Sequence, residues 1–198
     1  GNKLTLDLVK KELCDGMVVL SEGDTVLGLL ADVSKVGYAK LDHIKSRERK
    51  PYLLLVANQE KALNLIEKSA IKICQIEKLL NICWPGPATL IFRAKATVPE
   101  GVKSPEGNVA IRVPDHAGLL QLLQHFDALY STSANSSGKQ VPACLEDVDQ
   151  SIKQAVACIV LNQNNTQSIV PSTIIDCTGQ KIRIVRSGAF SVEKLKEF

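Results

Sequence analysis

Short apolar runs alternate with amphipathic stripes along this chain, and several neighbouring runs are joined by connections too short to hold a crossover helix. Parallel neighbours need about a dozen connecting residues, whereas antiparallel neighbours need only a tight turn. The short connections therefore require antiparallel pairs, and the helical stripes between other runs allow parallel ones. The strand candidates are MVVL, PYLLLVA, ATLIFRA, NVAIRVP, DALYS, ACIVLN, STIID and KIRIVR, each a compact apolar or alternating segment. Helices are predicted from the Leu4, Leu8 and Leu13 stripe that stops at Gly16, from about Ser34 to Ser46, from an Asn58 cap to about Lys68, over 70–82, and along AGLLQLLQHF. The pattern predicts an α/β fold: one domain over residues 1–198, with a twisted mixed sheet flanked by helices.

Such a sheet needs a sizeable core, and 198 residues with 45% hydrophobic side chains supply one. With aromatics at only 4%, that core rests on Leu, Ile, Val and Ala, and there is little material for stacking single-stranded nucleic acid. The net charge of +3 is too small to identify a nucleic-acid binder, yet it is concentrated. Lys40, Lys45, Arg47, Arg49 and Lys50 face only Asp42 and Glu48 in one short segment, which suits a small anionic ligand or a limited phosphate contact.

The cysteines Cys14, Cys74, Cys83, Cys144, Cys158 and Cys177 form no CxxC pair and no cluster with histidine, so zinc and redox motifs lack support. They read as reduced, mostly buried thiols of a cytoplasmic protein. No apolar run approaches the roughly 18 residues of a membrane span, and Gly1 before NKLT reads as a trimmed start without a leader.

Chemistry concentrates in a few segments. In HIKSRERKP, helical spacing would turn Lys45 and Arg47 apart, extended spacing would gather Lys45, Arg47 and Arg49 on one side, and Pro51 ends the helix nearby. The segment is either a solvated helix end or a gathered phosphate contact. STSANSSG reads as a turn rich in hydroxyls, or as a cradle for an anion. WPGPATL is a rigid turn anchored by Trp84, and serves as scaffold. Arg112 lies in an alternating strand, where it must meet solvent or a pocket that supplies an anion. His116 reads as a surface histidine at a helix start. PSTIID places Ser172 and Thr173 at a strand start and RSGAF places Arg186 at a strand end, as candidate members of one polar site.

GDTVLGLLAD, KSR with KP, WPGPATL, AIRVPDH, STSANSSG, PSTIID and RSGAF follow one another as in the YrdC-like family of threonylcarbamoyl-AMP synthases, which the chain resembles from about Asp24 to Phe190. The resemblance implies a concave, positively charged cavity on one face of the sheet. It implies joining L-threonine, bicarbonate and ATP into threonylcarbamoyl-AMP with release of pyrophosphate. A separate threonylcarbamoyl transferase complex would then modify adenosine in tRNA, so tRNA contact is indirect or weak. By the same resemblance Lys45 and Arg47 are catalytic, and Arg47, Lys50, Asn108, Ser133, Asn135 and Arg186 bind ATP. Thr25, Arg112, Ser131 and Ser172 bind threonine, with Asn135 also supporting the turn. Magnesium is expected with ATP, and its protein ligands are unknown. If Lys45 and Arg47 act only on phosphate, their alanine variants should lose turnover at a nearly unchanged thermal midpoint.

The chain departs from the family pattern where Glu22 replaces a proline, Gly23 a threonine and Leu27 a tyrosine. An apolar residue near Leu55 stands for a histidine, and NQNNTQS stands for a glycine-rich turn. These changes bear on the threonine pocket and leave the cations in place. Two other readings are an RNA-binding or ribosome-maturation module built on the Lys40 to Lys50 cluster, and a paralogue acting on a different carbamoylated substrate.

Overall fold

In the computed structural model, which describes residues 3–46, 51–67, 73–99, 102–161 and 169–196, a single mixed sheet organises the chain. Its strands are β1 (Val19–Ser21), β2 (Gly28–Asp32), β3 (Leu53–Leu55), β4 (Ala88–Arg93), β5 (Asn108–Arg112), β6 (Leu129–Ser133), β7 (Cys158–Val160), β8 (Thr173–Asp176) and β9 (Arg183–Arg186). They lie in the order β7-β1-β2-β6-β3-β5-β4-β8-β9. Parallel pairs β1/β7, β3/β5 and β4/β8 are interleaved with antiparallel pairs, as the short connections require.

The helices are α1 (Lys3–Cys14), α2 (Lys35–Lys45), α3 (Gln59–Leu65), α4 (Ile73–Cys83), α5 (Ala117–Leu123) and α6 (Gln150–Ala155). Local chemistry sets their ends. Gly16 closes α1 at φ 72°, where a Cβ would come within 2.7 Å of Val36. Ser34 caps α2 by accepting from the Gly37 N–H, and the Asn58 side chain does the same for α3 through Lys61 N–H. Trp84 anchors the turn after α4, its indole N–H donating to Ala88 O at 2.7 Å, and the Trp84–Pro85 peptide is cis.

Four elements differ from expectation. GLLAD forms β2 where only a turn running into a helix was predicted, because it has partners on both sides, β1 and β6. α6 and a short 3-10 turn over Val192–Leu195 were not predicted, and α3 ends at Leu65 rather than near Lys68. NQNNTQS, Arg47, Arg49 and Lys50 lie outside the described residues.

Two apolar clusters lie on opposite faces of the sheet. Leu20, Leu29, Leu54, Leu90, Val109, Ile111 and Tyr130 belong to the larger one, together with Leu41 of α2 and Leu79 and Leu80 of α4. Val19, Leu30, Leu55 and Leu129 belong to the smaller, covered by Val9 and Leu13 of α1 and by Leu119, Leu122 and Leu123 of α5. Strand periodicity makes this division, since successive side chains alternate faces. On the smaller cluster's face, Ile91, Ala110 and Ile174 belong to neither cluster and are half-buried. The β5–β4–β8 part of that face is therefore left open beside α5.

Candidate functional site

Directly paired residues share a face of the sheet, so register shows which candidates meet. Leu55 pairs with Arg112 and Leu53 with Ser131, both on the smaller cluster's face. Asn108 pairs with Arg93, Thr89 with Ile174, and Ile174 with Arg186. Alternation along β6 adds Ser133. Asn108, Arg112, Ser131, Ser133, Thr89 and Arg186 thus stand on one face, at or beside its open part.

Arg112 is the most buried of the cations placed there. Its Nη1 donates to Thr25 Oγ1 at 3.0 Å and lies 3.0 Å from Asp24 Oδ1, with both side chains of the ion pair about 5% exposed. Burial pushes the guanidinium pKa down from its ordinary value, Asp24 opposes that shift, and Arg186 adds to it. The alternative posed by the sequence, solvent or a pocket with an anion, resolves to an internal anion. Nothing nearby in sequence pointed to Asp24, although the demand of a strand-borne arginine for a carboxylate was itself the signal.

Ser172 sits beside Thr89 and Arg186. Its hydroxyl is 2.8 Å from Thr89 Oγ1, and its carbonyl accepts from Arg186 Nε at 3.2 Å and Nη2 at 2.8 Å. Burial lowers the Arg186 pKa as well. Thr173, one residue on and fully buried, donates to Phe190 O at 2.8 Å and accepts from Gly188 N at 3.0 Å and Phe190 N at 3.1 Å. That hub ties PSTIID to RSGAF, so the two motifs expected to share a site do meet. Gly188 is required by close approach: a Cβ there would sit 2.2 Å from Pro171 O. Thr89 was read only as scaffold, and its polar side chain between buried strand neighbours was the available signal.

Lys45 ends α2 with only 3% exposure. Its ammonium donates to Ser133 O at 2.7 Å, to Asn135 O, and to Asn135 Oδ1 at 3.3 Å. Ser133 Oγ donates to the same Asn135 oxygen, and Asn135 Nδ2 donates to Lys139 O. STSANSSG is therefore a turn stitched internally by Asn135 and clamped to α2 by Lys45. Because Lys45 carries this cross-link, a nearly unchanged thermal midpoint is no longer the expectation for its alanine variant. It also removes Lys45 from the exposed basic cluster on which the RNA-binding reading drew. Asn108 brings a different feature to the face, a buried Oδ1 without a hydrogen bond.

His116 does start a helix, accepting from Leu119 N through Nδ1, but it is also 3.5 Å from Glu22 Oε1 rather than simply facing solvent. Leu27 lies in the main core, so the loss of the family's tyrosine there is a packing change. Leu55 lies beside Arg112 on the site face and is 1% exposed. Of the thiols with described side chains, Cys83 and Cys177 are buried, Cys158 is intermediate, and Cys14 and Cys144 are exposed, so "mostly buried" does not hold. Among the described residues, no group of three His, Cys, Asp or Glu could hold a metal ion, and no helix is long and apolar enough to cross a membrane.

The family description Sua5_yciO_yrdC, telomere recombination, matches residues 11–188, which include every motif from GDTVLG to the glycine of RSGAF. The chain belongs to the Sua5/YrdC family. A Shigella flexneri threonylcarbamoyl-AMP synthase is 33% identical over 171 residues, covering 84% of this chain and 88% of the relative. A Methanocaldococcus jannaschii member is 31% identical over 195 residues, covering 98% of this chain and 90% of its own length. The fold is also that of Pyrococcus abyssi Sua5 crystallised with L-threonine, at TM-score 0.87 and 25% identity over 99% of this chain. This chain spans 57% of that Sua5 chain.

Proposed function

We propose that this Sua5/YrdC family member is a nucleotidyltransferase that makes threonylcarbamoyl-AMP and pyrophosphate from L-threonine, bicarbonate and ATP. The observation that carries this reading is the gathering of Arg112, Ser131, Ser133, Asn108 and Arg186 on one face of the sheet, with Thr25 and Ser172 bonded to two of them. A buried arginine, Arg112, and a more exposed one, Arg186, among small hydroxyls suit a ligand with several anionic groups and little bulk.

The reaction explains why such a face suffices. Bicarbonate and the threonine amine condense to a carbamate with loss of water. A carbamate oxygen then attacks the α-phosphorus of ATP, the bond to the β-phosphate bridging oxygen breaks, and pyrophosphate leaves. The protein has little bond-making of its own to do, and positioning and charge stabilisation carry the rate. Arg112 and Thr25, with Ser131 and Ser172, would hold the amino acid, its carboxylate against the guanidinium. Ser133, Asn135, Asn108 and Arg186 would hold the nucleotide, and Asn108 Oδ1 is an acceptor available to it. Lys45 would contribute its charge through the turn it clamps. Arg47 and Lys50, outside the described residues, keep their proposed contacts to the triphosphate. The described residues offer no metal cage, so magnesium would be held chiefly by phosphates and water.

The product would pass to a separate threonylcarbamoyl transferase complex for modification of tRNA adenosine in the cytoplasm, with any direct tRNA contact weak. Pyrophosphate release in ATP and bicarbonate, followed with L-threonine, with L-serine and without amino acid, tests the reading. Threonine-dependent release supports it. Release that prefers another amino acid would make the chain a paralogue, and salt-sensitive RNA retention without nucleotide binding would make it an RNA-binding module.

A further inference from the structure

We propose that Asp24 is a positioning residue for the amino-acid carboxylate, fixing one arm of the Arg112 guanidinium so that its opposite edge faces the ligand. The proposal rests on the synthase reading of this site. Both internal contacts of Arg112 use Nη1, which donates a hydrogen bond to Thr25 Oγ1 and forms an ion pair, without hydrogen-bond geometry, with Asp24 Oδ1, at 3.0 Å each. Nε, although buried, makes no hydrogen bond. A guanidinium pairs side-on with a carboxylate through Nε and the neighbouring Nη2, the edge away from Nη1. The protein thus engages the arm that is least useful for bidentate recognition and leaves the useful edge uncommitted.

Asp24 suits this task because its two oxygens serve different elements. Oδ1 pairs with the end of β5, whereas Oδ2 accepts the Asp115 N–H at 3.0 Å, on the segment leading into α5. The carboxylate is pinned from behind while it holds the arginine in front. It also balances a guanidinium whose side chain is only 6% exposed, which would be costly to bury alone. An asparagine has the same shape but one acceptor. Its NH2 would oppose either Nη1–H or the Asp115 N–H, so one of the two fixings is lost. Electrostatics alone would make the opposite forecast, since removing a nearby negative charge should tighten binding of an anionic ligand.

Calorimetric titration with L-threonine and with L-threoninamide, which lacks the carboxylate, separates these effects. The wild-type chain should prefer threonine by about tenfold or more, the scale of a charge-assisted hydrogen-bond pair. In Asp24→Asn that preference should shrink to within about threefold, with affinity for ATP unchanged, since aim and not the fold is lost. An asparagine variant that keeps the preference, or binds threonine more tightly, overturns the proposal. A wild-type chain that binds no threonine overturns the synthase reading itself and the proposal with it. If Asp24→Asn does not fold, Thr25→Val, which removes the other Nη1 anchor and keeps the ion pair, should lower the preference by about threefold or more. No change there also overturns the proposal.

Discussion

The Lys45 ammonium and the Ser133 carbonyl, 2.7 Å apart, join the last turn of α2 to the end of β6 and so fix where STSANSSG sits. A cation proposed for catalysis is at the same time a clamp. Lys45→Met should therefore do two things at once. Loss of the donor leaves the Ser133 and Asn135 carbonyls without their partner, which costs about 1–3 kcal/mol. In a chain of this size that lowers the thermal midpoint by roughly 2–4 °C per kcal/mol, and pyrophosphate release should fall with it. Calorimetry beside the activity assay checks this, and an unmoved midpoint would show that the clamp contributes nothing.

A second expectation concerns the hub under RSGAF. Thr173→Val keeps the shape of a fully buried side chain but strips the oxygen that serves Gly188 N, Phe190 N and Phe190 O. The loss should be about 2 kcal/mol or more by urea unfolding, greater than for Ser172→Ala, whose hydroxyl has Thr89 Oγ1 at 2.8 Å and a longer contact to Arg186. Equal losses for the two variants would contradict the hub.

Arg186 permits a cleaner separation of binding from folding. It lies on β9, whose residues are exposed, and its guanidinium reaches back to Ser172 O. Arg186→Gln should weaken ATP binding by about tenfold, as expected for loss of a charge-assisted contact, while stability changes by under ~1 kcal/mol. Titration with a non-hydrolysable ATP analogue reads the first effect and urea unfolding the second.

Alkaline pH supplies a further test. Burial raises the Cys83 thiol to about 12, and Tyr130 is likewise pushed up to about 12 by burial with help from Tyr38 and Asp32. Both groups are held neutral in the fold, whereas the unfolded chain loses these protons near its ordinary values of about 9 and 10. The unfolded state then binds fewer protons than the folded one, so their stabilising contribution is complete below about pH 9 and is lost as pH rises toward about 12. Urea midpoints should fall between pH 9 and pH 11, and less steeply in Cys83→Ala.

How far the sequence carried these conclusions depends on where each partner lies. α2 and α3 were legible because Ser34 and Asn58 announce their own caps a few residues away. β2 was not, since GLLAD follows the turn-like SEGDTVL and is defined as a strand only by β1 and β6. Arg112 signalled that it needed either solvent or an anion, but Asp24 lies far away in the chain, where composition and spacing carry no information. Lys45 was legible as an important cation and not as a buried one, because its acceptors are mostly backbone carbonyls, which every residue possesses. The meeting of PSTIID with RSGAF was anticipated from hydroxyls at one strand start and a cation at another strand's end, while Thr173 was recognised as a candidate member of that site and not as the residue that brings it about.

The most direct measurement is to incubate the chain with ATP, L-threonine and isotopically labelled bicarbonate and examine the products by mass spectrometry. Threonylcarbamoyl-AMP synthesis yields an AMP adduct that carries the bicarbonate carbon and the threonine together, formed with pyrophosphate and absent when threonine is omitted. ATP turnover that yields no adduct containing both would contradict it.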